Sequence, residues 1–234
     1  MTNVEKAPKR SWGAHMPEGL PVAVTINRVA EETPSIRTFY FDREFLFKPG
    51  QFVMVWVPGV DEIPMALSGQ NSITVQRVGD ATSALFALGP GDRIGIRGPF
   101  GNGFPPGRRV LAVAGGLGAA PLLPLAMKGC TVSFLLGART RSDLLFSGIL
   151  KDCCPLFIAT DDGSYGHHGF VTDLLKQVDP GAADAICVCG PEQMMVAVHG
   201  ILKEGGMLER SYFSLHRYMK CGIGVCGSCC MDPG

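Results

Sequence analysis

Three features of the 234-residue sequence predict its fold class: an antiparallel β-barrel, then a doubly wound parallel-sheet α/β domain, then a cysteine-rich C-terminal module. Short period-two stretches rich in β-branched and aromatic residues fill residues 21–105, the pattern of half-buried antiparallel strands. Beyond Arg109 the alternation gives way to a continuous apolar strand, a glycine turn and a helix, the unit from which parallel sheets are built. From residue 209 onward cysteine and glycine stand out. The domains accordingly read as a barrel over 21–105, an α/β domain over 106–208 and the cysteine module over 209–234. Residues 1–20 are polar, with prolines and no apolar core, and read as a flexible tail rather than a signal peptide.

Within the barrel, Val22-Ala23-Val24-Thr25-Ile26 and Ile36-Arg37-Thr38-Phe39-Tyr40-Phe41 alternate with period two. Lys48-Pro49-Gly50-Gln51 is a turn, and Phe52-Val53-Met54-Val55-Trp56-Val57 is a buried strand. Residues 73–78 and 92–97 continue the series, and five or six short strands at this spacing suit a small barrel. Between them Gly79-Asp80-Ala81-Thr82-Ser83 is a helix start whose N–H groups and hydroxyls suit a phosphate. Gly98-Pro99-Phe100-Gly101-Asn102-Gly103-Phe104 joins the two domains, either lining a bound group at their interface or serving as a flexible linker.

In the α/β region Val110-Leu111-Ala112-Val113-Ala114 is the first strand. Gly115-Gly116-Leu117-Gly118-Ala119-Ala120-Pro121 turns into a helix, with Pro121 suited to its first turn. Residues 131–136 and 156–160 give further strands, 171–178 a helix and 185–189 a final strand. A glycine turn between strand and helix lets backbone approach a pyrophosphate at a helix N-terminus; it is also how an ordinary helix packs closely on a sheet. Cys189-Gly190-Pro191 ends the last strand on the sheet edge where open α/β folds bind ligands. A thiol there can touch a nicotinamide ring, or can be one more buried cysteine.

Lysine plus arginine equals aspartate plus glutamate at 21 each, so charge points to neither nucleic acid nor an anionic membrane. The longest apolar stretch, residues 110–127, is broken by three glycines and two prolines and is not a membrane span. Nine cysteines without a secretory signature favour metal or redox chemistry over a disulfide framework and suggest a cytoplasmic protein. The five histidines show no metal spacing.

The densest motif is Met219-Lys220-Cys221-Gly222-Ile223-Gly224-Val225-Cys226-Gly227-Ser228-Cys229-Cys230. Cys221, Cys226 and Cys229 stand in the C-x4-C-x2-C spacing of plant-type [2Fe–2S] sites. The glycines between them allow φ > 0, so that backbone N–H groups can curl toward sulfur. The competing readings are a structural zinc knuckle, which takes paired hooks, and thiols that merely cluster. A plant-type site takes a fourth thiolate. Cys230 adjoins Cys229, and consecutive side chains diverge, so Cys230 reads as a bystander; the fourth ligand then lies beyond Gly234 or the site is completed unusually.

Barrel, nucleotide domain and cysteine loop in that order resemble the ferredoxin–NADP reductase superfamily, and more closely the electron-transfer subunits of class B dihydroorotate dehydrogenases. The resemblance runs from about Pro21 to Gly234. It rests on Pro64-Met65-Ala66-Leu67-Ser68, Val78-Gly79-Asp80-Ala81-Thr82, Gly98-Pro99-Phe100-Gly101, Gly115-Gly116-Leu117-Gly118, Cys189-Gly190-Pro191 and, most specifically, the cysteine loop. It implies FAD on the barrel at Pro64, Met65, Ala66, Ser68, Thr74, Val75, Gln76, Gly79, Ala81, Thr82 and Ser83. It implies NAD at Gly115, Gly116, Gly118, Ala120, Pro121, Arg139, Cys189, Gly190 and Pro191, and a [2Fe–2S] cluster on Cys221, Cys226 and Cys229. Electrons from the FMN of a dihydroorotate-oxidising catalytic subunit would pass by cluster and FAD to NAD+, in pyrimidine biosynthesis, within a two-plus-two heterotetramer. Where the family's flavin motif reads Arg-Pro-x-Ser, this chain has Ile63-Pro64-Met65-Ala66, with Ser68, Arg77 and Arg97 as possible substitutes for hydroxyl and charge. After residue 136 both signs of charge occur, and the resemblance favours NAD over NADP. Two further readings are a diaphorase subunit of a hydrogenase or bifurcating complex, and a non-enzymatic zinc module without flavin.

Overall fold

A strand with alternating polarity buries one face, and six such strands roll into a barrel until their edges meet. The computed structural model describes residues 20–105, 109–129 and 131–230. The segment read as a tail, apart from Leu20, and Cys130 lie outside them. The barrel comprises β1 (Val22–Thr33), β2 (Ile36–Phe41), β3 (Phe52–Val57), β4 (Asp61–Gly69), β5 (Ser72–Gln76) and β6 (Arg93–Phe100). Their order is β1-β2-β5-β4-β3-β6, closed where Val22 and Val24 of β1 face Ile96 and Ile94 of β6. Phe39, Phe41, Val53, Val55, Ile73, Val75, Ile94 and Ile96 fill the interior, and α1 (Asp80–Phe86) adds Leu85 and Phe86.

β4 is the strand that pattern counting passes over, because Pro64 interrupts it. Pro64 faces Met54 of β3, while pairing with β5 begins only at Leu67. At Pro64 the strand therefore has one neighbour, the edge condition under which a strand tolerates proline. The stretch from Gly98 to Phe104 is not a flexible linker. β6 runs on to Phe100, the Phe104 N–H donates to the Pro49 carbonyl at 2.7 Å, and the Gln51 amide donates to the Gly101 carbonyl at 2.7 Å. Gly50, at φ +86°, lies so close to the buried Phe104 ring that a Cβ there would sit 2.6 Å from it.

The second sheet holds β7 (Val110–Gly115), β8 (Thr131–Ala138), β9 (Leu156–Thr160), β10 (His167–His168), β11 (Ala185–Cys189) and β12 (Ser211–Ser214). All neighbours are parallel, in the order β10-β9-β8-β7-β11-β12. Helix α2 (Ala119–Met127) packs on one face beside α3 (Ser147–Cys153), and α4 (Val171–Leu175) with α5 (Glu192–Glu204) on the other. Two covered faces explain why β7 and β11 are buried at every position and read as unbroken apolar runs. β11 is not the final strand: β12 extends the sheet at residues otherwise grouped with the cysteine module. His167 and His168 form β10, a short edge strand beside β9. The helix at 171–178 is shorter than its periodicity suggested, and α3 and α5 went unassigned.

The buried thiols of β11 carry a testable consequence. Burial pushes Cys187 up to about 12 and Cys189 up to about 11, from an ordinary 9.0. Above pH 9 the unfolded chain releases these protons while the folded chain keeps them, so the folded state binds more protons and stability falls as pH rises. The window opens near pH 9 and closes near the folded values, at up to about 1.4 kcal/mol per pH unit per group. The thermal midpoint should drop between pH 9 and 11, and Cys187→Ala should flatten that drop while lowering the midpoint throughout. An equal slope in wild type and variant would refute the assignment.

Candidate functional site

The strand order reverses between β7 and β11, so the loops at their carboxyl ends diverge and leave a crevice. Three glycines hold the two loops against each other there. A Cβ on Gly118 would lie 2.1 Å from the Cys189 carbonyl oxygen. One on Gly115 would meet Met194 Sδ at 2.5 Å, and one on Gly190 would meet Met194 Cε at 2.7 Å. Only Gly116, at φ +51°, opens on free space. Packing therefore explains Gly115, Gly118 and Gly190, and Gly116 offers backbone to a ligand. Ala120 and Pro121 are buried in the first turn of α2. Cys189 is 1% exposed, its thiol hydrogen-bonded with Ser214 on β12, and so stands behind the crevice wall, with Pro191 capping the start of α5.

At the carboxyl ends of β8 and β9 lies a shallow recess lined by Thr140, Arg141, Ser142, Asp162 and Ser164. The Ser164 hydroxyl donates to Asp162 Oδ1 at 2.6 Å and the Ser164 N–H donates to the same oxygen at 3.0 Å. These bonds, the hydroxyl first, hold the Asp162 carboxyl below its ordinary value. Arg141 N–H donates to Ser164 Oγ at 2.8 Å, and its guanidinium lies over the Tyr165 ring. Arg139 is turned to solvent, 3.5 Å from Asp143. Asp162 and Ser164 were missed by sequence reasoning; the signal was Asp161-Asp162-Gly163-Ser164 directly after a buried strand.

On the barrel, Pro64, Met65 and Ala66 are half-buried on β4. Ile63 packs against the barrel core together with Met65. Ser68 does not offer a free hydroxyl: it accepts from Thr74 Oγ1 at 2.9 Å and lies 3.3 Å from Ser72 Oγ, in a buried chain that continues to Thr38 at 3.0 Å. Val75 points into the core, and Gln76 is half-buried at the strand end. At the start of α1, Thr82 Oγ1 accepts from the Val78 and Gly79 N–H groups and donates to the Gly79 carbonyl, each at 2.9 Å. Thr82 thus shapes the turn rather than reaching out of it, and Gly79 and Ser83 present its exposed side, with Ala81 buried behind. Of the two arginines suggested as substitutes, Arg97 is paired to Glu62, whereas Arg77 is exposed, with its guanidinium 5.5 Å from the Phe86 ring.

The cysteine loop folds over the barrel. Gly222, Gly224 and Gly227 have φ of +76°, +79° and +75°, the left-handed backbone that glycine permits. Backbone N–H groups of Cys226, Ile223 and Val225 point at the Cys221 sulfur and lower its pKa, with Cys226 contributing most. The Ser228 hydroxyl, 3.3 Å from Cys226 Sγ, is the main cause that brings that thiol down to about 6. Cys221 and Cys229 are half-buried, Cys226 and Cys230 exposed, and all four are free thiols. Donor type, left-handed glycines and inward N–H groups fit an iron–sulfur cluster, which binds thiolates. Among the described residues no three ligating side chains converge on one point, so the loop supplies the donor set without a preassembled cage. No described helix is long and apolar enough to cross a membrane.

No family model matches the chain. A probable dihydroorotate dehydrogenase B (NAD(+)) electron transfer subunit from Methanocella arvoryzae is 52% identical over 220 residues, 91% of this chain and 85% of that protein. The structure of an NADH-dependent reduced ferredoxin-NADP oxidoreductase, described for flavin-based electron bifurcation, superposes with a TM-score of 0.75 at 26% identity, over 88% of this chain and 80% of that one. The flavohem-like FAD/NAD binding domain of a nitric oxide dioxygenase from Vibrio cholerae shares the fold, with a TM-score of 0.69 at 19% identity over 82% of this chain and 96% of its own.

Proposed function

This chain belongs to the electron transfer subunits of dihydroorotate dehydrogenase B (NAD(+)), oxidoreductase subunits of pyrimidine biosynthesis, and we propose that it takes electrons from an FMN-containing catalytic subunit and delivers them to NAD+. The observation that carries this reading is the cysteine loop seated on the same barrel face as the flavin motif: Gly222 packs on Met54, which pairs with Pro64. When bound, FAD and a [2Fe–2S] cluster supply the exchange between single electrons and a hydride.

Cys221, Cys226 and Cys229 would hold the cluster. Pro64 and Ala66 would face the flavin ring, with Met65 between them turned into the barrel core, and the turn at Gly79, kept in shape by Thr82, would carry its phosphates on backbone N–H groups. Gly116 would let backbone meet the NAD pyrophosphate, and Cys189, with Gly190 and Pro191, would close the wall behind the nicotinamide. The assembly is proposed as a two-plus-two heterotetramer in the cytoplasm. Co-purification from the source tests the partner: a dihydroorotate-oxidising flavoprotein is expected, and a hydrogenase subunit would replace this reading with the diaphorase one. A visible spectrum lacking flavin and cluster bands after reconstitution would leave the zinc module.

Asp162 would be the ribose contact. A carboxylate accepts hydrogen bonds from a free 2′-hydroxyl and repels a 2′-phosphate. Asp162→Ala should therefore cut the ratio of kcat/KM for NADH over NADPH by roughly tenfold or more. A wild-type tenfold preference for NADPH, or an unchanged ratio in the variant, would overturn the assignment.

A further inference from the structure

We infer that Arg97 is a positioning residue: it fastens the first cysteine of the loop to the strand that carries the flavin motif, and with Glu62 it sets the charge beside that cysteine. Its Nε and Nη2 donate to the two carboxylate oxygens of Glu62 at 2.8 and 2.6 Å, and Nη1 donates to the Cys221 carbonyl at 3.2 Å. The two side chains are only 12% and 23% exposed. Glu62 lies two residues before Pro64, on the same face of β4, and Arg97 is in register with Met54 on β3. Gly222 fits flat on this patch, where a Cβ would lie 2.9 Å from Met54 and 3.2 Å from Phe100.

A guanidinium can engage a carboxylate with two donors and still spare a third, which an ammonium group cannot do in this planar geometry. Arg37 likewise donates to a carbonyl, that of Phe86 at 2.9 Å, but its carboxylate partner Glu31 lies 3.5 Å away and is 64% exposed, so that pair is neither short nor sheltered. The Arg97–Glu62 pair is neutral as a whole. Removing one member leaves the other charge part-buried next to Cys221, with opposite signs in the two cases.

The charge half of this inference rests on the iron–sulfur reading, whereas the fastening half does not. Amide exchange at residues 219–229 and an EPR-monitored redox titration, on wild type, Arg97→Gln, Arg97→Lys, Glu62→Gln and the surface control Glu31→Gln, separate the two. Arg97→Gln should speed exchange in the loop at least tenfold, with Glu31→Gln unchanged. The midpoint potential should fall in Arg97→Gln, where Glu62 is left as a bare negative charge, and rise in Glu62→Gln. Arg97→Lys keeps charge but loses the fork, so loop exchange should rise while the potential stays near wild type. Loosening alone would move the potential the same way in both neutralised variants, and that result would overturn the charge assignment. Unchanged loop exchange in Arg97→Gln would overturn the fastening. A reconstituted wild type without an EPR signal would instead defeat the iron–sulfur reading, and the exchange data would still decide the fastening.

Discussion

Cys226→Ser is expected to empty the cluster site, with iron per chain falling below about a tenth of wild type and the EPR signal of the reduced protein lost. Electron transfer from a dihydroorotate-oxidising partner should stop with it. A serine hydroxyl at neutral pH is not the anion that iron requires, whereas a thiolate is. The loop concentrates its backbone on these sulfurs: three left-handed glycines turn it, and N–H groups of residues 223, 225 and 226 face Cys221. Cys221→Ser and Cys229→Ser should behave alike. Cys230 is exposed, and its N–H closes a turn onto the Gly227 carbonyl at 3.1 Å, so Cys230→Ser should keep its iron. A Cys230→Ser chain that loses its iron would make Cys230 the missing ligand, and a Cys226→Ser chain that keeps it would return the loop to the thiol-cluster reading.

Much of the architecture was legible because period and composition act locally. The switch from alternating strands to the unbroken run of β7 marks the barrel giving way to a sheet covered on both faces. Pro64 hid β4, since a sequence does not say that the strand has a single neighbour at that point. β12 is four residues long, too short for a period to register. Side-chain commitments were less legible still. Ser68 and Thr82 look like ligand hydroxyls, yet pairing of β4 with β5 ties one to Thr74 and local geometry ties the other to the turn at Gly79. Arg97 looks like a phosphate-binding cation until Glu62, 35 residues away, meets it. Residue type announces the chemistry a group can do, and tertiary contact decides whether it is free to do it.

Gly118→Ala should be the most damaging single-methyl change in the α/β domain. The added carbon would lie 2.1 Å from the Cys189 carbonyl oxygen, 2.4 Å from its carbon and 2.7 Å from the Gly190 nitrogen. All three are backbone atoms, so no rotamer change relieves the clash. Cys189 is itself held between Ala114 of β7 and Ser214 of β12, which leaves separation of the two loops as the main response. Overpacking of this kind costs about 1–3 kcal/mol or more, and for a chain of this size that lowers the thermal midpoint by about 2–4 °C per kcal/mol. A fall on the order of 5–10 °C is expected, together with a raised KM for NADH, because the displaced loop carries Gly116. Gly116→Ala makes the contrast. Its Cβ enters open space, and only the left-handed backbone at φ +51° penalises it, by about 1–2 kcal/mol. Differential scanning calorimetry and NADH-to-dye kinetics on both variants decide the matter: a Gly118→Ala midpoint within a degree or so of wild type would mean that the loops part freely and that their close packing does not shape the crevice.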